Sequence, residues 1–172
     1  MKKIISLWGV LLVAVSAFAQ KDNPLVGVWQ QVVAGNQTTL TIGPNGKVFL
    51  PDGRMFGYFL NPTEFDKYEQ FNFAPWILAT YKVTGDSTYS EQIYIHNSPD
   101  WEGTINFRYK LLNSRTLFAQ YEHTYPDGSV RTITDLWVRA VYDKEEQEKV
   151  IKKVMDNWSS YEERAKTMYG RF

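Results

Sequence analysis

Between Leu25 and Arg139 apolar and polar side chains alternate in short runs, and each run ends on a turn signal. Period-two alternation of this kind belongs to strands with one buried face. It predicts a strand over 26–33 and short strands at 39–42, 47–50 and 54–60. Longer ones follow over 76–83, 87–96, 104–111, 115–125 and 129–139. Pro44-Asn45-Gly46 and Pro51-Asp52-Gly53 read as turn tripeptides, with glycine supplying the backbone conformation that such turns need. Gly85-Asp86, Asn113-Ser114 and Pro126-Asp127-Gly128 read as hairpin connections. Eight or more short strands at this spacing indicate an antiparallel barrel or sandwich.

The same alternation assigns faces. Ile105, Phe107, Tyr109 and Leu111 share one side of their strand, and Thr104, Asn106, Arg108 and Lys110 share the other. Ile77, Ala79, Tyr81 and Val83 likewise turn inward, as do Leu117, Ala119, Tyr121 and His123. In the strand over 87–96 the inner set is Tyr89, Glu91, Ile93 and Ile95. Two alanines and several tyrosines on these faces point to a cavity rather than a filled interior.

Both ends depart from this pattern. After Asp143 and Glu146, an N-cap pair, apolar residues recur at three- and four-residue steps from Val150 to Met168. They predict one helix over roughly 144–166, packed on the outside of the sheet. Its polar face mixes Glu and Lys, which disfavours a membrane surface. At the other end Lys2 and Lys3 precede an apolar run from Ile4 to Val15 that closes on Ala17-Phe18-Ala19. This is the layout of a secretory leader, too short to span a bilayer comfortably, and a mature chain starting near Gln20 is expected. The protein is then periplasmic or secreted, with no lipid-attachment cysteine and no stable membrane anchor.

The chain has 172 residues, 19 basic and 19 acidic, and no cysteine. Losing Lys2 and Lys3 leaves 17 basic against 19 acidic residues, a near-balance that argues against a nucleic-acid partner. Without cysteine there is no disulfide or thiolate chemistry, and the core must hold the fold unaided. Aromatic residues, 16 % of the chain, supply that core, since each buried ring removes roughly 150–250 Å² from water.

Pro24-Leu25-Val26-Gly27-Val28-Trp29 resembles the Gly-x-Trp opening of lipocalins and their bacterial relatives. In that fold the tryptophan closes the base of an up-and-down barrel, and an arginine near the end of the last strand lies across its ring. Trp137-Val138-Arg139 supplies the matching ending, which makes Trp29 and Arg139 the expected barrel-closing pair; a guanidinium over an indole face is favourable in its own right. Together with Tyr81, Asp86-Ser87-Thr88-Tyr89 and Glu91, the chain is similar to a group of secreted lipocalin-like domains of unknown function from Bacteroidetes, over about residues 24–140. The resemblance implies an all-β antiparallel barrel of about eight strands, with the C-terminal α-helix outside it. Residues 1–19 would be the leader, 20–141 the barrel and 142–172 the helix. The chain departs from that group over Asn61–Pro75 and in the length of its helix.

Chemistry is sparse. His96 and His123 are the two histidines and fall on different strands, so a His-rich metal site is impossible, and neither a metal nor a cofactor is expected. No phosphate loop, dinucleotide fingerprint or Gly-x-Ser-x-Gly elbow occurs. Glu91 faces inward by alternation. Burial would raise its pKa unless a partner compensates, whereas an unpaired glutamate more often sits at a rim in water. The leading expectation is a wall formed by Tyr81, Tyr89, Glu91, Tyr109, Tyr121 and His123, binding a small apolar or amphipathic molecule under the 61–76 loop. The alternative is a module with a filled barrel that meets another protein or a glycan. A carboxylate hydrolase comes last, and no enzyme is expected.

Overall fold

The computed structural model describes residues 23–36, 39–59 and 74–170. Eight antiparallel strands form a closed barrel in which sequence neighbours are hydrogen-bonded neighbours throughout. They are β1 (Gly27–Asn36), β2 (Thr39–Phe49), β3 (Arg54–Phe59), β4 (Ala74–Gly85), β5 (Thr88–His96), β6 (Gly103–Asn113), β7 (Thr116–Thr124) and β8 (Val130–Arg139). β1 pairs with both β2 and β8, so no edge remains for another chain to extend. The expected leader and most of the 61–76 loop lie outside the described residues. Among the described residues no helix is long and apolar enough to cross a membrane.

Two apolar clusters share the barrel wall. The inner one includes Trp29, Phe49, Ala79, Tyr81, Tyr89, Phe107, Leu117 and Trp137. The outer one joins Val28, Val48, Phe56, Tyr58 and Leu78 to the C-terminal helices through Ile151, Val154, Trp158, Tyr161 and Ala165. The predicted single helix is two: α1 (Lys144–Asp156) and α2 (Trp158–Tyr169). Asp143 caps α1 by accepting from the Glu146 amide at 2.9 Å. The break falls at Asn157, whose side chain donates to the Lys153 carbonyl and so competes with the helical ladder.

Of the register shifts between neighbouring strands, three change what the sequence pattern predicts. Pro44-Asn45-Gly46 is not a turn, because β2 runs through it with two extra residues opposite Gln31. The buried Gln30 amide donates to the Gly43 and Asn45 carbonyls at 2.6 and 2.7 Å, which satisfies the carbonyls that the bulge frees. Gly46 is needed there because a Cβ would fall 2.0 Å from the Tyr58 ring, which lies across the strand. One extra residue on β4, at Trp76, and one on β5, at Tyr94, make the other two bulges. Past Tyr94 the phase of β5 inverts. Ile95, expected inside, packs under the helices, and His96 turns inward in its place.

The closed end is sealed by Trp29 and Arg139, which are register partners on β1 and β8. The guanidinium lies 4.3 Å from the indole centroid. It also donates to the carbonyls of Pro24, Val26 and Ser114 and to the Gln147 amide oxygen, tying the N-terminal segment, the β6–β7 turn and α1 to one side chain. Gly27 passes beneath it with φ +147°, where a Cβ would sit 2.0 Å from an arginine nitrogen. Arg139→Ala is expected to lower stability by about 2 kcal/mol in urea unfolding, through the lost ring contact and the orphaned carbonyls. Arg139→Leu should recover part of the packing. A loss below ~0.5 kcal/mol, the range of ordinary surface changes, would refute this account of the closed end.

Candidate functional site

Inner side chains fall into levels along the barrel axis. At the closed end Phe49, Tyr81, Tyr89 and Tyr109 pack ring against ring: Tyr81 meets Phe49 edge-on at 4.9 Å, and Tyr89 stacks on Phe107 at 4.5 Å. The Tyr81 hydroxyl donates to the Leu50 carbonyl and accepts from Asn23, so its polar end is satisfied within the fold. Burial raises the pKa of both Tyr81 and Tyr89, keeping them neutral. The single wall expected from alternation is therefore corrected. Tyr81, Tyr89 and Tyr109 are not among the residues that line the cavity, because this half of the barrel is filled by their own rings.

Above them Lys47 on β2 meets Glu91 on β5. The ammonium donates to both carboxylate oxygens, at 2.7 and 3.0 Å, and both side chains are buried. These strands are not neighbours, so the pair spans the interior like a strut. Phe107 and Trp137 flank the ammonium at 5.1 and 5.5 Å from their centroids. Complete burial raises the Glu91 pKa, with Lys47 opposing the shift. Lys47 falls in the short strand predicted at 47–50, but nothing local marks a lysine as the partner of a residue 44 positions away.

Beyond the strut the barrel opens into a cavity of about 280 Å³. Glu91 and Tyr121 line it, with Ile77, Ile93, Ile105 and the ring of Trp137 as apolar wall. Two bulges deliver further groups to it. Trp76 enters with its indole N–H donating to the Tyr58 carbonyl at 2.9 Å, and His96 enters beside it. Burial pushes the His96 imidazole down to about 4, and the Ser98 amide donates to Nδ1 at 2.8 Å, so the ring is neutral with its proton on Nε2. The turn Pro99–Trp101 brings Trp101 across the opening, where it lies flat on His123 at 3.7 Å. His123 is buried behind that indole, and its Nε2 has no hydrogen-bond partner among the described residues.

Asp135 completes the polar lining and is a residue that strand reading missed. It lies two positions before Trp137, hence on the same face of β8, which was the available signal. Gln31 donates to it at 3.1 Å, while Asn45 donates to the Gln31 amide oxygen at 2.8 Å. That relay fixes which way the Gln31 amide points. Burial raises the Asp135 pKa, opposed by Lys47 and by hydrogen bonds from Gln31 and Tyr121. Among the described residues no cluster of His, Asp and Glu could hold a metal ion.

The strut has a testable cost. Removing one partner of a buried pair typically destabilises by about 3–5 kcal/mol, because the other charge is left unpaired. In Lys47→Met the Glu91 pKa rises further above its unfolded value, so the penalty is full at pH 8 and relieved as the carboxyl takes up its proton on acidification. The stability gap between Lys47→Met and the parent, measured by urea unfolding, should therefore be smaller at pH 5 than at pH 8. An equal gap at both values would refute the assignment. Lys47→Met/Glu91→Gln should regain part of the loss.

Comparison with known proteins adds a family. The chain is similar in structure to bovine odorant binding protein in complex with undecanal, at 22 % identity over 81 % of this chain and 86 % of that one, with a TM-score of 0.39. It is similar to a deswapped triple mutant of the bovine protein at 21 % identity over 77 % and 83 % of the two chains, with a TM-score of 0.34. A search of curated proteins found no match. Residues 24–153 match a family whose description is "Domain of unknown function (DUF4488)", so by a match covering the barrel and the first half of the helical tail this chain belongs to that family.

Proposed function

We propose that this protein acts outside the cytoplasm and binds one small amphipathic molecule in the open half of its barrel. The observation that carries the reading is the cavity itself. Its roughly 280 Å³ lies just under the usual ~300–1,000 Å³ of ligand sites, and apolar walls surround a few oriented polar groups. That size suits a compact molecule rather than a long chain. The open half of the barrel supports this reading over the interaction-module alternative, which presumes a filled interior. Glu91 gives both oxygens to Lys47, which suits a fixed wall better than an acid or nucleophile that must change partners. The basic and apolar start of the sequence supports an extracytoplasmic site of action.

Native mass spectrometry of protein purified from its own host should reveal a retained small molecule. N-Phenyl-1-naphthylamine, an uncharged fluorescent probe, should bind saturably with a blue-shifted emission. Trp101→Ala and Tyr121→Ala should each weaken the probe by up to about tenfold, the worth of one aromatic contact, with a smaller effect on the thermal midpoint. Absence of both a retained molecule and saturable probe binding would overturn the proposal.

A further inference from the structure

The lining of the cavity carries two carboxylates and one ammonium. Lys47 is committed to Glu91 through both oxygens. His96 is neutral, its Nδ1 already accepting from Ser98. Asp135 is the remaining carboxyl: Lys47 acts on it only from a distance, and among the described residues no basic side chain lies within 4.0 Å of it. Its neighbours treat it as an anion to be oriented. Asn45 donates to Gln31, and Gln31 donates to Asp135. A carboxylate offers about four acceptor positions, so the Gln31 bond leaves acceptor positions free on a side chain that lines the cavity. Tyr121 in turn stands edge-on to Trp101 at 6.1 Å, which leads from the carboxylate to the aromatic opening.

We propose that the ligand is a small organic cation, an ammonium or amidinium group on a flat apolar body, with its charge at Asp135 and its body against Tyr121 and the apolar wall of Ile77, Ile93 and Ile105. The inference rests on the cavity being a ligand site and adds the sign of the ligand. A cation there balances the surplus carboxylate. An anionic ligand would place a third negative group beside Glu91 and Asp135, which like charges in a partly desolvated site disfavour.

Three probes with one body decide the matter: 2-phenylethylamine, 2-phenylethanol and 3-phenylpropionate, titrated by calorimetry at pH 7. The amine should bind at least tenfold more tightly than the alcohol, and the propionate most weakly. Asp135→Asn should bring the amine to the level of the alcohol in that variant, and Asp135→Glu should keep the preference. Equal binding of amine and alcohol, or tightest binding of the propionate, would overturn the inference on the parent protein alone, whatever the variants do. If N-phenyl-1-naphthylamine binds and the amine has no advantage, the charge assignment fails and the cavity reading stands. If no probe binds, the charge assignment fails, and the cavity reading fails with it when native mass spectrometry also finds no retained molecule.

Discussion

An eight-stranded barrel encloses a lumen about as wide as the side chains that fill it, so any space for a ligand must come from what the inner residues leave out. In this protein the Lys47–Glu91 strut draws that boundary. Below it, Phe49, Tyr81, Tyr89 and Tyr109 fill the lumen with rings. Ala79 and Ala119 on β4 and β7 are small, inward-facing and fully buried, which leaves width in the lumen for extended side chains. Above the strut, the walls stand apart. A barrel filled uniformly with leucine and phenylalanine would close over the cavity; a strut of fixed length holds the upper walls at a set separation.

Stability alone does not account for such a pair. Desolvating two ions opposes most of what their attraction returns, and a well-packed apolar replacement is often as stable or more so. The closed end shows that this chain can do without internal ions, since rings and the Trp29–Arg139 contact seal it with the guanidinium at the rim rather than in the lumen. The polar level is therefore better understood as a feature of the cavity it floors than as a source of folding energy. Glu91 directs both oxygens to Lys47, the ammonium is sandwiched by Phe107 and Trp137, and the cavity receives a polar surface that cannot collapse inward.

Much of the barrel was legible because period two is a strict rule wherever a strand is regular. The inward placement of Ala79, Phe107, Leu117 and Glu91 follows from it directly. Legibility failed at bulges. One extra residue at Tyr94 exchanged Ile95 for His96 inside the barrel, and another at Trp76 brought an indole to the cavity. Pro44-Asn45-Gly46 has the composition of a turn, yet the hydrogen bonds of Gln30 turn it into a bulge within one strand. None of these has a local signature, since each depends on what the neighbouring strand offers.

The candidate site was legible in half for a related reason. Alternation identifies which residues face inward but not at which level they sit, so Tyr81 and Tyr121 looked equivalent although one packs in the closed end and the other lines the cavity. Charge pairing was hidden still further. Lys47 and Glu91 lie on strands that never touch, and Asp135 owes its orientation to Gln31 and Asn45 on two other strands. Closing the sheet is what brings these five residues together. Every one of them is unremarkable in its own strand, and the site exists only as a property of the closed barrel.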